Sequence, residues 1–599
     1  MSDKTKIFKF IFISNFLLFT IALIVLSKIP LEEYEPSIYN SIPLVVWILL
    51  LTSVTITISM IIYTLYLRSK NFSFVWKVGY IYLFLIYSFI LSLHIIRGYY
   101  MYAMIGDPSA HIGVIDDILT SKHLPENLIY PILHVYAVEF IHLTGTDLIL
   151  LHKYLPLIFG LLSVPFLFVF SKSVLIGKKK QIILAGILCF SFSHSWYLNF
   201  TPNHLSVLFF PIVLFAIVKS FFYPSFQWRF IAIIFAILYP PFHQVPTFSI
   251  LITIFGLFLA DKFLPLNARS SINANKKLSI YLFLILFVWG VSWISSFYQW
   301  DYTIRNIYAL ANEDTPTHIS SLSAQIENAA EHGFSVVEYI LRTNISAIIY
   351  ISLIFLSMPI VINKSNMNKK SHILPSLYLP MILMLVATIA LFFLNLMFGP
   401  TRLLFYFIIL GTPFIGIILN RLLLYKNIGM FIASILISLI LIFSTLALYP
   451  SPYVLKPNFQ TTKMEFDGMS WFFHNRNAEI NISGISIAPG RFYDIVLDNK
   501  DKKYHKISNY LSKNPSSRSQ LSPYHFGYDN HSALLEYHKY CNYLILTKRD
   551  KSIYKDVYPT MADFRWNLSD FKRIDEDPDI NKLYMNNDLN IRYICTWED

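Results

Sequence analysis

The feature that most constrains this sequence is a series of long apolar segments through its first 450 residues. A helix needs about 20 apolar residues to cross the hydrocarbon core of a bilayer. The chain is 55% hydrophobic and only 14% charged, whereas a soluble protein carries about 25% charged residues. The sequence therefore predicts a polytopic α-helical membrane protein. The segments predicted to span the membrane, about thirteen in number, are 8–28, 43–66, 78–96, 148–170, 181–198, 204–219, 229–241, 245–260, 279–299, 345–362, 375–397, 403–420 and 428–449.

The basic loops indicate the orientation of these segments. Lys and Arg concentrate in loops such as "RSKNFSFVWK" (68–77) and "GKKKQ" (177–181). Because cytoplasmic loops carry an excess of Lys and Arg, we predict a cytoplasmic N-terminus, and every basic loop then falls on that side. The first segment is too long for the apolar core of a signal peptide and has no small-residue cleavage site after it, so we predict a retained helix. These loops, rather than nucleic-acid binding, account for the net charge of +12.

The last part of the chain differs in kind. After residue 450 the membrane-length segments stop, and short strand-like segments such as "CNYLILTKRD" (541–550) appear. The stretch "NKLYMNNDLNIRYI" (581–594) alternates around Asn-Asn-Asp and predicts a hairpin. We therefore predict a membrane domain over 1–450 and a small extracytoplasmic α/β domain over 451–599. Three cysteines exclude a disulfide scaffold, and Cys541 and Cys595 can pair only if the fold brings them together.

Polar residues collect at the predicted outer ends of several helices. The first outer loop, 97–147, contains "GDPSAHIGVIDDIL" (106–119), and a second outer loop is predicted over 300–344. Carboxylates, histidines and arginines from different segments would meet on this face of the membrane. The candidate site residues are Asp107, His111, Asp116, Asp117, His134, His204, His243, Arg305 and Arg402.

Several of these residues also have a purely structural interpretation. Asp107 before Pro108 is typical of a helix start. Asp107 and His111 share one helix face, which suits either a local hydrogen bond or a ligand pair for a divalent cation. A divalent cation is therefore the one cofactor that the sequence suggests, and it does not require one. Asp116 and Asp117 suit a solvent-exposed helix face. A lone His at a helix end, such as His204 or His243, is often only a polar side chain whose hydrogen bonds are made within the protein. Arg402 can extend to the interface or hold a phosphate bidentately.

The layout resembles the GT-C superfamily, integral-membrane glycosyltransferases that use polyprenyl-phosphate-linked sugars. The resemblance rests on the large first outer loop with Asp107 near its start and on the Tyr-Pro-x-x-His element of Tyr130, Pro131 and His134. It indicates a prokaryotic, protein-mannosyltransferase-like member. Position 108 is Pro where many members have the acidic partner of an Asp-Glu pair. The sequence also has no clear counterpart of the Trp-Trp-Asp-Tyr-Gly motif of oligosaccharyltransferase catalytic subunits.

The resemblance implies a function for these residues. Asp107 would be the general base of an inverting hexosyl transfer, and Arg402, or less well Arg305, would hold the lipid phosphate. The histidines would line the pocket. The expected partners are a polyprenyl-phosphate sugar donor, a glycan, lipid or protein acceptor, and membrane lipids, with no nucleic acid, in the plasma membrane. The alternatives are a lipid or glycan flippase or transporter, and an O-antigen-type polymerase or ligase. Mid-segment ionisable residues, the usual mark of a transporter, are few.

Overall fold

A computed structural model gives the fold of most of the chain. It describes residues 3–31, 33–67, 73–104, 107–191, 195–223, 225–263, 276–312, 335–362, 373–393, 402–486, 489–497, 520–529 and 541–595, together with 323, 326–327, 330, 333, 399 and 534.

The first three quarters of the chain is a bundle of apolar helices joined by short loops. Its helices are α1 (Asp3–Leu26), α2 (Ile38–Ser41), α3 (Leu44–Leu67), α4 (Ser73–Leu91), α5 (Leu93–Ile96), α6 (Asp107–Ser121), α7 (Pro131–Thr144), α8 (Leu148–Val174), α9 (Lys179–Ile187), α10 (Pro202–Phe222), α11 (Phe226–Phe242), α12 (Gln244–Phe263), α13 (Lys276–Ser295), α14 (Tyr298–Asn312), α15 (Val336–Ile362), α16 (Ile373–Ser376), α17 (Tyr378–Phe393), α18 (Arg402–Leu422) and α19 (Lys426–Leu448). One continuous apolar core runs through the bundle.

The helices confirm the predicted membrane architecture, with one correction. Within the described ranges, eight helical segments are long and apolar enough to cross a membrane, and the bent pair α13–α14 makes a ninth if it is one span. One of the eight is the continuous stretch Arg402–Leu448, which contains both α18 and α19. The helices α11 and α12 are apolar but shorter. The predicted span over 181–198 is wrong, because α9 has nine residues and ends in a 3₁₀ turn at Leu188–Phe190.

The C-terminal part forms a small α/β unit, as predicted. Its strands are β2 (Gln460–Thr461), β3 (Asn481–Gly484), β4 (Gln520–Leu521), β5 (Asn542–Thr547), β6 (Asn581–Met585) and β7 (Leu589–Ile594), and its helices are α20 (Lys463–Asn475), α21 (Pro489–Val496), α22 (Lys548–Ser552) and α23 (Leu568–Glu576). Five strands form a sheet in the order β4-β3-β5-β7-β6. The predicted hairpin is confirmed as the antiparallel pair β6–β7. A disulfide joins Cys541 and Cys595.

Polar contacts bind this unit to the membrane bundle. Strand β2 pairs antiparallel with β1 (Met101–Tyr102), the segment that leads into α6. Beside this pair, Arg97 forms a buried ion pair with Glu35, whose second carboxylate oxygen accepts a 2.6 Å hydrogen bond from the Tyr99 hydroxyl. The Asn458 amide donates to the Glu35 carbonyl over 2.7 Å. The loop after α1, the start of the first outer loop and the C-terminal unit are therefore one connected structure.

Candidate functional site

Helix α6 supplies the first residues of the candidate site. It begins at Asp107, and His111 follows one turn later on the same helix face. Ile112 and Ile115 are fully buried, so the helix is anchored in the core. Both Asp107 and His111 are half-buried. The helix thus holds a carboxylate and an imidazole one turn apart at the edge of the membrane bundle.

His111 is joined to the second helix of the same loop. Its Nδ1 lies 3.1 Å from Nε2 of His134, which sits in the first turn of α7. His134 is completely buried, and its Nδ1 lies 2.9 Å from the Tyr130 carbonyl oxygen. Burial, together with the nearby His111, lowers the pKa of His134 to about 3, so this ring is neutral at physiological pH. The predicted residues His111 and His134 are therefore in direct contact.

Tyr130 extends this chain of contacts to the membrane helices. Its ring stacks on His243, with ring centroids 4.4 Å apart. His243 lies between α11 and α12, and its Nδ1 accepts a 3.2 Å hydrogen bond from the Val245 backbone N–H. Burial lowers the pKa of His243 well below its usual value, and the charges of Arg402, His204 and His111 lower it further. These electrostatic effects place His204 and Arg402 close to His243.

The local folding of the chain makes this region attractive to anions. Three helices begin here: α10, with His204 in its first turn, α12 directly after His243, and α18 at Arg402. Thr201 caps α10 by accepting from the His204 backbone N–H over 3.4 Å. A helix N-terminus carries about half a positive charge and unsatisfied N–H groups, which favour a phosphate. The Arg402 guanidinium adds a full charge to the same region.

Other predicted residues lie elsewhere. Asp116 and Asp117 lie roughly 120–140° around α6 from His111, at about 100° per residue. Burial, Asp494 and Asp117 raise the pKa of Tyr493, so Asp117 faces the C-terminal unit. Arg305 is exposed on α14. Of the second predicted outer loop, 300–344, the stretches 313–322 and 331–332 lie outside the described residues.

Gly113 shows a close contact that the sequence reasoning missed. A Cβ atom built on Gly113 would lie 1.9 Å from the Asp494 carbonyl oxygen, so the backbones of α6 and α21 touch at this point. A glycine inside a helix lowers helix stability by about 1 kcal/mol relative to alanine. Its presence within the predicted helix was therefore the sequence signal that another backbone comes close to this position. The C-terminal unit therefore rests directly on the helix that carries Asp107 and His111.

The arrangement offers hydrogen-bonding and charged groups rather than a metal cage. Within the described part of the chain, no group of three or more His, Cys, Asp or Glu residues is placed to hold a metal ion. Asp107 and His111 remain the only pair predicted for a cation, and Nδ1 of His111 is engaged with His134. The site can hold an anion near Arg402 and can accept a proton at a carboxylate on α6.

Solved structures with a similar architecture are membrane enzymes. The chain is similar to the apo oligosaccharyltransferase of Archaeoglobus fulgidus (11% identity, TM-score 0.46, 82% of this chain and 72% of that chain). It is also similar to AglB of the same organism in complex with an inhibitory peptide and a dolichol-phosphate (12% identity, TM-score 0.44, 81% of this chain and 72% of that chain). A third similar structure is ArnT of Cupriavidus metallidurans bound to undecaprenyl phosphate (10% identity, TM-score 0.42, 87% of this chain and 98% of that chain). Both kinds of enzyme belong to the GT-C class that the sequence resembles. No family model and no curated protein matches the sequence.

Proposed function

We propose that this chain is a membrane glycosyltransferase that transfers a hexose from a polyprenyl-phosphate donor to an acceptor on the extracytoplasmic side. The observation that carries the proposal is the series of contacts from α6 to His243, together with the electrostatic effect of Arg402 on His243. His111 is hydrogen-bonded to His134, and His134 is hydrogen-bonded to the Tyr130 carbonyl oxygen. The Tyr130 ring stacks on His243, and burial together with the charge of Arg402 lowers the pKa of His243. We propose that the Asp107 carboxylate and the Arg402 guanidinium belong to one site at these helix ends.

The residue types suit transfer from a lipid phosphate. A sugar on a lipid phosphate is already activated, so the protein must remove a proton from the acceptor and stabilise the phosphate that leaves. We assign the first task to Asp107 and the second to Arg402. As the acceptor oxygen or nitrogen bonds to the anomeric carbon, the bond to the phosphate oxygen breaks and its electron pair leaves with the lipid phosphate. The acceptor proton passes to Asp107, and a single displacement inverts the anomeric centre.

Two observations support the proposed orientation. The Cys541–Cys595 disulfide is typical of an oxidising compartment outside the cytoplasm. The basic loops at 68–77 and 177–181 carry the charge that is typical of cytoplasmic loops. We therefore propose a plasma-membrane protein whose C-terminal unit and candidate site face outward. The acceptor, whether glycan, lipid or protein, would reach the site from that side.

Two substitutions test the proposal in liposomes with radiolabelled long-chain polyprenyl-phosphate hexoses and an envelope extract as acceptor. Asp107→Asn should lower the rate of transfer about 10²–10⁴-fold, the usual contribution of a general base. Arg402→Ala should weaken donor binding about 10–100-fold, since a charged hydrogen bond contributes about 1.5–3 kcal/mol. Glu139→Gln on exposed α7 and Arg421→Ala at the far end of α18 are the matched controls. Full transfer by the Asp107→Asn protein would exclude the assigned base, and unchanged donor affinity of Arg402→Ala would exclude the phosphate contact.

A further inference from the structure

We infer that Arg476 forms a binding site for an oxyanion, a carboxylate or a phosphate group, in the C-terminal unit. Arg476 directly follows α20 and ends that helix through a 2.8 Å hydrogen bond from its backbone N–H to the Phe472 carbonyl oxygen. Its side chain takes no part in this bond. The inference concerns binding alone and does not depend on the residues proposed for sugar transfer.

The guanidinium of Arg476 is buried without a counter-charge. The residue is 9% exposed, and its Nε and Nη2 atoms have no hydrogen-bond partner. The ionisable groups that act on its charge are the hydroxyls of Tyr543 and Tyr493, and no carboxylate of the described residues is among them. Arginine stays protonated in proteins, so the charge itself cannot be lost to relieve this burial. A buried charge is costly unless a partner compensates it.

The other buried arginines show what Arg476 lacks. Within the part of the chain that the structure describes, three further arginines are less than a tenth exposed, and each has a carboxylate partner: Arg97 with Glu35, Arg549 with Glu465, and Arg592 with Asp575. The fold therefore pairs its buried guanidinium groups with carboxylates. Arg476 departs from this pattern, and an anionic ligand would supply the missing acceptor.

The two atoms without a partner define the kind of ligand. Nε and Nη2 lie on one edge of the guanidinium plane and present two parallel N–H groups, which match two oxygens of a carboxylate or a phosphate. The rings of Phe472 and Phe473 lie with their centroids 5.9 and 5.4 Å from Cζ. Such rings stabilise a cation through their faces but leave the N–H groups on this edge without an acceptor. Both nitrogens are buried, so entry of an anion requires neighbouring side chains to move aside.

The site adjoins the surface on which the C-terminal unit rests on α6. Tyr493, one of the two tyrosines that act on Arg476, belongs to α21, and Asp117 of α6 acts on the same tyrosine. The next residue of α21, Asp494, makes the close backbone contact with Gly113. A bound oxyanion would therefore lie next to the contact between the C-terminal unit and α6.

Hydrogen exchange of the full-length protein in liposomes measures binding through the stability of α20 and β5. The probes are glucuronate, glucose 6-phosphate and uncharged glucose, with the ionic strength held constant by sodium chloride. A ligand that binds only the folded unit slows exchange by a factor that grows with its concentration, about tenfold at ten times its Kd. We expect this slowing with glucuronate or glucose 6-phosphate and none with glucose. The anion that acts at the lower concentration shows whether the site prefers a carboxylate or a phosphate.

Substitutions at position 476 separate an anion site from a structural arginine. Arg476→Met should abolish the response to both anions and, without them, should exchange no faster than the wild type, because replacing an unpaired buried charge by an apolar side chain is neutral or stabilising. Arg476→Lys keeps the charge but not the paired N–H edge, so we expect about tenfold weaker binding. Arg573→Met, at an exposed arginine of α23, is the control and should respond like the wild type.

Three results would overturn the inference. The first is wild-type exchange that neither anion slows, or that glucose slows equally. The second is an Arg476→Met protein that responds to the anions like the wild type. The third is faster exchange of Arg476→Met than of the wild type without anions, because the arginine would then stabilise the unit without a ligand.

Discussion

The substitution Gly113→Ala tests whether the C-terminal unit sets the position of α6, the helix that carries Asp107 and His111. The added Cβ would lie 1.9 Å from the Asp494 carbonyl oxygen and 2.6 Å from its carbonyl carbon, whereas ordinary contact begins near 3.4 Å. The two backbones must therefore separate by about 1.5 Å, the difference between 3.4 and 1.9 Å. The obstacle is backbone, so no change of rotamer can relieve it. Asp107 and His111 lie on the same rigid helix, less than two turns away, and must move with it.

The expected loss of activity follows from that displacement. A shift of about 1 Å in a reacting group can reduce the rate about 10²-fold, so we expect Gly113→Ala to lower sugar transfer at least that much. Alanine favours a helix over glycine by about 1 kcal/mol, so melting of α6 cannot be the cause. The assay is the initial transfer rate of purified protein in liposomes, together with its thermal unfolding.

A matched glycine gives the control for this experiment. Gly290 lies inside α13, and a Cβ there would meet its nearest atoms at 3.5 and 3.8 Å, which is ordinary contact. Gly290→Ala should leave the transfer rate within about twofold of wild type. If Gly113→Ala transferred sugar at the wild-type rate, the contact between α6 and α21 would have no part in positioning the site.

The remaining predictions concern the supports of the site and its phosphate contact. Glu35→Gln leaves Arg97 buried without its counter-charge and should cost about 3–5 kcal/mol, seen as a lower unfolding temperature of the purified protein. The paired substitution of Cys541 and Cys595 by Ser should cost about 2–5 kcal/mol in the C-terminal unit, and an unchanged protease sensitivity of that unit would contradict it. Arg402→Lys keeps the charge but loses the bidentate geometry, so donor affinity should fall by less than in Arg402→Ala.

The membrane architecture was predictable because hydropathy acts locally. Within the described residues most of the predicted segments are helices, and the β6–β7 hairpin formed where alternation and Asn-Asn-Asp predicted it. The prediction of a span at 181–198 failed because the apolar part of the segment is short: its helix stops at Ile187, and Ser191, Ser193, His194 and Ser195 follow. A hydropathy pattern reports burial and does not say where the backbone leaves the helical conformation.

The composition of the site was less predictable, because it depends on how helices pack. Asp107 and His111 could be paired from their spacing alone, but nothing in the spacing relates Tyr130 to His243 or His243 to Arg402. The sequence left Asp116 and Asp117 open between site residues and a solvated face. The structure turns Asp117 toward Tyr493, because Gly113 fixes which face of α6 meets the C-terminal unit.

The direction of the helices explains why acidic and basic chemistry can share one site. Helices α10, α12 and α18 all start beside His243, so their N-terminal ends add positive potential to Arg402 and favour a bound phosphate. Helix α6 begins at Asp107, so a carboxylate lies at its N-terminal end, where negative charge is favoured. A carboxylate base and a phosphate bound beside it would ordinarily repel each other. In the proposed site each would lie at a helix N-terminus, and His134 and His243, whose pKa values burial lowers, would add no further charge.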